Sequence, residues 1–290
     1  MKKNIQELFF GYLFLIPDLI GLMIFWAVPA IIAFIISLYN WDAIGQPIFS
    51  GFSNYRNIWS DPYWIKSLSN TVKYSLIFVP LNFIISLLLA LLVKEEIKGI
   101  GIYKAIFFAS TAMSSVAISF IWKYMFQPYG FINYIISFFG VSHQPFLGST
   151  QQALFCILVV HLYMSVGYYM VIFLAGLNDI PLEYYEASKM DGANAIQRFW
   201  FITFPLLKPT STFVLIMTFL QGFQVFDYIY ILTGGGPYYS TSTSVYYMYY
   251  TAFQMYHFGY GSAQAFLLFL ILATLSFFML KVLRSGKIAM

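Results

Sequence analysis

Apolar residues run along this chain in long blocks, separated by charged or Gly/Pro-rich breaks, rather than in strand-like alternation or short amphipathic stripes. A helix that crosses a bilayer needs roughly 20 mostly apolar residues, and dividing the chain at its breaks yields six such blocks. They cover about 9–38, 72–93, 103–126, 153–177, 211–232 and 263–282. The pattern predicts an all-α membrane protein with six transmembrane helices in a single transmembrane domain, 1–290. The first block follows Lys2 and Lys3 and is much longer than the roughly 7–15 apolar residues of a signal-peptide core, so it reads as an uncleaved span.

Two stretches between the blocks carry information of their own. Residues 234–258 open with Gly234-Gly235-Gly236-Pro237 and continue through Tyr246, Tyr247, Tyr249, Tyr250, Phe253 and Tyr256. A tyrosine-rich helix lying in the outer interface fits them; the competing reading is a seventh span, which would reverse the C-terminus. Residues 178–210 are long for a simple connection. Asn178 or Asp179 as N-cap, Pro181 in the first turn, Glu183 near the positive helix end and Lys189 three residues beyond Glu186 predict a short helix there. Gly192 supplies a turn without Cβ clash. Ile196, Phe199, Trp200 and Ile202 mark a second amphipathic piece, ended by Pro205 and Pro209. From the residues alone, this bent element is either a docking surface or a helix resting on the membrane, and its acidic side chains disfavour an anionic leaflet.

Composition agrees with the pattern. The 290 residues are 60% hydrophobic and 9% charged, against about 45–50% and about 25% in soluble domains, which excludes a soluble globular domain, a disordered chain and a coiled coil. A net charge of +4 is too weak and too uneven for a nucleic-acid surface, but its distribution orients the spans. Lys2, Lys3, Lys94, Lys98, Lys104, Lys189, Arg198, Lys208, Lys281, Arg284 and Lys287 fall on one side, and Arg56, Lys66, Lys73 and Lys123 on the other. The positive-inside rule then places both termini and the loops 94–104 and 178–210 in the cytoplasm. With Cys156 alone, neither an intramolecular disulfide nor a cysteine-based zinc site can form.

The chemistry legible in the chain is that of a pathway. There is no G-x-x-x-x-G-K-[ST] loop to cradle a nucleotide, no G-x-S-x-G elbow and no H-E-x-x-H, and His143, His161 and His257 lack ligand spacing and read as packing or interface residues. Gln221 and Gln224 lie about 15–20 Å up the fifth span, near the membrane midplane. Gln221, Gln224 and Tyr228 recur at i, i+3 and i+7, so a continuous helix would put two amides and an aromatic ring on one face, suited to a sugar; hydrogen bonding between spans is the alternative. Asp227 is costly within a span and reads as a gate or a paired acid. An ion-coupled secondary sugar transporter is the main competing reading. It should show more intramembrane charge than Asp227 and Asp18, and paired inverted halves.

Glu186-Ala187-Ser188, Asp191-Gly192-Ala193, Phe199, Ile202, Pro205 and Pro209 together resemble the EAA motif of ABC importer permeases. Ser188 and Phe204 stand where that family has alanine and leucine. The likeness extends over most of the chain, through Gly51-Phe52-Ser53-Asn54-Tyr55, Gly130-Phe131-Ile132-Asn133 and Leu232-Thr233-Gly234-Gly235-Gly236-Pro237, and is similar to the carbohydrate-importing branch. The resemblance implies the type I ABC importer permease fold, with a cytoplasmic coupling helix, in a bacterial cell membrane. It implies a permease subunit that forms half of the path for a sugar, an oligosaccharide delivered by an external binding protein. Its partners would be a similar second permease in a heterodimer and two ATPase subunits that use ATP and Mg, this chain itself binding no cofactor. By motif position Glu186 would face basic groups in an ATPase cleft, Ala187 and Ser188 would form the close-packed face, and Asp191 and Gly192 the turn. In maltose-permease relatives the positions matching Tyr168, Gln221 and Gly222 touch sugar.

Overall fold

The computed structural model describes residues 5–94 and 99–284. Lys2, Lys3, Lys98 and Lys287, four of the basic residues used to orient the spans, lie outside the described residues. The chain opens with α1 (Ile5–Leu22), which passes through a π turn at Met23–Ala27 into α2 (Val28–Ser37). Two short strands follow, β1 (Tyr39–Asn40) and β2 (Ile48–Phe49), paired antiparallel with Tyr39 opposite Phe49. Their connection is turned by Asp42, whose carboxylate accepts the backbone N–H groups of Gly45 (2.7 Å) and Ile44 (3.1 Å). Those bonds hold the Asp42 carboxyl below the usual aspartate pKa, Gly45 contributing most.

Next come α3 (Ser53–Ile58), α4 (Pro62–Val93), α5 (Ile100–Ala109), α6 (Ser115–Met125), α7 (Phe131–Ser137) and α8 (Ala153–Asn178). The segment between the fourth and fifth spans holds α9 (Leu182–Met190), α10 (Ala195–Arg198), a π turn at Phe199–Thr203 and α11 (Phe204–Leu206). The chain then rises through α12 (Lys208–Phe223) and α13 (Asp227–Leu232), and ends with α14 (Ser244–Tyr249), a π turn at Tyr250–Gln254 and α15 (Phe258–Arg284). Among the described residues, five helical stretches are long and apolar enough to cross a membrane: Tyr12–Ser37, Pro62–Val93, Ala153–Asn178, Lys208–Leu232 and Phe258–Val282. A sixth follows if the bent pair Ile100–Ala112 and Ser115–Met125 is one span. The protein is an all-α, multi-pass membrane protein of the expected class.

Several local expectations are corrected. The third span is not one helix over 103–126: it bends by 98° at Met113–Ser114. Ser110 and Thr111 return their hydroxyls to the carbonyls of Phe107 (3.1 Å) and Phe108 (2.7 Å), and such side-chain competition ends or bends helices. The fifth span is likewise interrupted at Gln224–Phe226, where the Val225 carbonyl is satisfied by the Thr243 hydroxyl (3.0 Å) instead of by helix. Neither Asn178 nor Asp179 caps the helix after it. Asn178 completes α8, Asp179 is the C-cap of α8, and Pro181 precedes α9. Pro209 opens α12 instead of ending a helix, since its missing N–H costs nothing in a first turn. The second span begins ten residues before the expected Val72, at Pro62.

The chain divides into two compact units, Met1–Asp61 with Met248–Leu270 and Pro62–Tyr247 with Ile271–Met290. In the first, Asn54 Nδ2 donates to the carbonyls of Ser37 and Tyr39, both at 2.9 Å, which fixes the end of α2 against α3. The backbone of Gly259 lies on the Tyr39 carbonyl where a Cβ would overlap it.

The second unit is built on α4, α8 and α12, packed through Leu87, Ala90, Val93, Met170, Phe173, Leu177, Leu207 and Val214. Polar groups that no pattern of apolar blocks announces are satisfied across these helices. Asn82 Nδ2 donates to Ser165 Oγ (2.6 Å), and Ser86 Oγ donates to Asn82 Oδ1 (3.0 Å). Residues 234–243 form no helix. They are a loop, buried at Thr241, Ser242 and Thr243, that is stitched to α4: Asn70 Nδ2 donates to the carbonyls of Tyr239 and Ser242 (both 2.9 Å), and Ser67 and Ser242 share a hydrogen bond of 2.9 Å. Only Ser244–Gln254 of the tyrosine-rich stretch is helical. Its eleven residues, at 1.5 Å each, fall well short of a bilayer core about 30 Å thick.

Candidate functional site

Two regions of the second unit gather the residues singled out in the sequence. The first is the segment from α9 to α11. Helix α9 carries Glu183 in its first turn and Lys189 in its last, as the helix dipole favours. It ends in a Schellman turn: Ala193 N–H donates to the Ser188 carbonyl (2.9 Å) and Gly192 N–H to the Lys189 carbonyl (3.1 Å). Gly192 sits at φ +77°, with no atom near where a Cβ would stand, so its glycine is required by backbone conformation rather than by space. Asn194 and Gln197 form a reciprocal capping box that starts α10 (2.9 and 2.8 Å), and Arg198 donates to the Ala193 carbonyl (2.9 Å). The turn from α9 into α10 is thus held by specific bonds.

The segment presents two faces. Glu186, Ala187, Asp191 and Gly192 are exposed, and Met190 at the tip is 90% exposed. Ser188 is not on that face. It is buried against its own chain, its hydroxyl donating to the Tyr185 carbonyl (2.8 Å). Tyr185 is partly buried and packs against the core of the second unit.

The second region is a cavity of about 310 Å³ lined by Thr111, Met164, Ser165, Tyr168, Tyr169, Gln221 and Tyr228. Met164, Ser165, Tyr168 and Tyr169 come from one face of α8, as i, i+4 spacing requires. Tyr169 OH donates to Gln221 Oε1 (3.2 Å) across to α12. Tyr228 reaches the cavity from α13 and is held there by stacking on His161, with centroids 4.6 Å apart. His161 in turn stacks on Phe78 at 4.0 Å and shares a 2.7 Å hydrogen bond with Tyr74. The lining has hydroxyls, an amide and aromatic rings and no charged side chain, which suits a neutral hydroxylated ligand more than an ion.

Of the six pathway residues expected from the sequence, the cavity brings together Tyr168, Gln221 and Tyr228. The other three lie elsewhere. Gly222 faces α4, where a Cβ would stand 3.1 Å from Ser75 Oγ and 3.2 Å from Phe78. Gln224 sits in the break between α12 and α13 and lines no part of the cavity, so the single face expected for Gln221, Gln224 and Tyr228 does not exist. Asp227 begins α13 and accepts a hydrogen bond from Ser115 Oγ (2.8 Å), while Lys123 Nζ donates to the Ile231 carbonyl at the other end of the same short helix (2.8 Å). Acid at the N-terminus and cation at the C-terminus both favour the dipole. Thr111, Met164, Ser165 and Tyr169 line the cavity without having been singled out by the sequence. Ser165 and Tyr169 are one turn apart beside Tyr168, a signal available to helical spacing; Thr111 depends on the bend of the third span.

The family described as "Binding-protein-dependent transport system inner membrane component" matches residues 82–287, well over half of the chain and including both regions. The chain belongs to this family. The permease is 34% identical over 283 residues to the trehalose/maltose transport system permease protein MalF of Thermococcus litoralis, covering 97% of this chain and 96% of that protein. It is 33% identical over 270 residues to the sn-glycerol-3-phosphate transport system permease protein UgpA of Agrobacterium fabrum, covering 92% of each. A chain in the crystal structure of a bacterial ABC transporter involved in the import of the acidic polysaccharide alginate has the same fold, with a TM-score of 0.85 at 22% identity over 98% of both chains. As a permease subunit of an ABC transporter, the chain is not itself an enzyme; subunits of this family work with ATPase partners. Family membership also sets aside the ion-coupled alternative.

Proposed function

We propose that this permease forms half of the translocation path of an ATP-driven importer for a neutral sugar, an oligosaccharide handed over by an external binding protein. The uncharged cavity on α8, α12 and α13 carries this reading, because hydroxyl, amide and aromatic groups are what a sugar ring asks of a pathway. Its end-to-end similarity to a trehalose/maltose permease supports the same substrate class. The chain works as one transmembrane permease domain, 1–290, with both termini in the cytoplasm, beside a homologous second permease in a heterodimer. Two ATPase subunits, which bind ATP and Mg, receive the exposed face of α9, with Glu186 against basic groups and Ala187, Asp191 and Gly192 around it.

The test is reconstitution of the permease pair with its ATPase subunits and binding protein in proteoliposomes. Maltose or trehalose uptake that requires ATP and the binding protein supports the proposal; uptake driven by an ion gradient without ATP refutes it. Within the same assay, Gln221→Ala should lower sugar turnover per transporter about three- to ten-fold through loss of one hydrogen-bonding amide. The amount of assembled complex should stay unchanged, because Gln221 lies on the cavity wall away from α9, and the Tyr169 hydroxyl that it releases also faces the cavity.

A further inference from the structure

The phenol of Tyr185 touches three parts of the cytoplasmic side at once. It lies on α9, one residue before Glu186, but points the opposite way. Its hydroxyl shares a 3.0 Å hydrogen bond with Thr203 Oγ1, in the π turn that leads through α11 into α12. Lys94, the residue after the end of α4, donates from Nζ to the same hydroxyl (3.4 Å) and stands 4.4 Å from the ring centroid, a cation–π geometry. The Tyr185 carbonyl takes the Ser188 hydroxyl, and the ring packs on the core that joins α4, α8 and α12. Thr203 is itself buried, so the hydrogen bond is shielded from competing water. The outward residues of α9, Glu183, Glu186, Ala187 and Met190, are exposed.

A force applied to the outer face of α9 must reach the spans through whatever joins α9 to them. The helix is short and is bounded by Pro181 before it and the left-handed Gly192 after it. Its covalent connections are therefore bends, which transmit a push poorly. We propose that Tyr185 is the joint that makes α9 move as one body with α4 and α12, with Lys94 and Thr203 as its two clamps. This rests on the reading of α9 as the ATPase-docking helix and assigns the positioning residue of the stroke: Glu186 receives the push, and Tyr185 passes it on. Backbone bonds alone hold the shape of α9; the Tyr185 contacts hold its place.

Two measurements test it. With Cys156→Ser as background, spin labels at Leu92 and Met190, both exposed, report the distance between the end of α4 and the tip of α9 in the membrane-reconstituted chain. A narrow distribution that broadens in Tyr185→Ala and is largely restored in Tyr185→Phe, which keeps the ring under Lys94, is the expected result. Equal widths in all three overturn the joint, whatever the protein transports. In the assembled transporter, sugar moved per ATP hydrolysed should fall about five-fold or more in Tyr185→Ala and less in Tyr185→Phe, Lys94→Met and Thr203→Val. A folding or assembly defect would lower transport and hydrolysis together and leave that ratio unchanged. A wild-type ratio in Tyr185→Ala overturns the proposal; a wild-type complex without sugar-dependent ATP turnover refutes the importer reading instead, with the distance measurement still deciding the joint.

Discussion

Replacing Glu186 by alanine is expected to release the ATPase subunits or leave them bound but uncoupled, while the permease itself stays folded. Glu186 is exposed on α9, so its removal opens no cavity in the core and should not shift thermal unfolding of the isolated permease. In a docked complex its carboxylate would make a charge-assisted hydrogen bond worth about 1.5–3 kcal/mol, or about ten- to a hundred-fold in affinity. Co-purification of the ATPase subunits, and sugar-stimulated ATP hydrolysis in the recovered complex, measure the two consequences. Gly192→Asp should act in the same direction for a different reason. There is room for the side chain, but φ +77° disfavours any β-carbon, so the Schellman turn would reopen and α9 would lose its orientation. Full co-purification and wild-type coupling in both variants would count against α9 as the docking element.

The second large effect belongs to Gly167. Here α5 crosses α8 so closely that a Cβ on residue 167 would overlap the carbonyl oxygen of Phe107, with Phe108 Cα 3.3 Å away. Both are backbone atoms, so no side chain can swing aside, and α5 or α8 must shift as a body. Overpacking of this kind costs about 1–3 kcal/mol or more. The displaced residues adjoin Met164, Ser165, Tyr168 and Tyr169 of the cavity. Gly167→Ala is expected to lower the unfolding temperature of the detergent-purified permease by several degrees and to depress transport beyond the loss of folded protein. Gly101→Ala provides the contrast. Gly101 lies in α5 with nothing near its would-be Cβ, and alanine there should be neutral or stabilising by up to about 1 kcal/mol. Equal stability of the two variants would show that the α5–α8 approach is looser than this geometry.

Much of this protein is local, and what is local is legible in the sequence. Blocks of apolar residues long enough for a bilayer determine the class and nearly all the spans, since burial in lipid depends on length and hydrophobicity rather than on neighbours. The α9 helix, its Gly192 turn and its exposed Glu186 are written within a dozen residues, because dipole and left-handed backbone preferences act over a turn or two. The tertiary structure alone decided where helices stop inside the membrane. The breaks at Met113–Ser114 and at Gln224–Phe226 carry no proline; at the second, a freed carbonyl finds Thr243, distant in sequence. Helical periodicity across residues 221–228 therefore predicted a shared face that the break removes, and yet Gln221 and Tyr228 meet on one cavity, because His161, itself stacked on Phe78, holds Tyr228 from the other side. The same reason separates the two faces of α9. Sequence spacing identified Glu186, Ala187 and Ser188 as neighbours, but only the packing of α9 against α4 and α12 turned Ser188 and Tyr185 inward and left Glu186 and Ala187 for a partner.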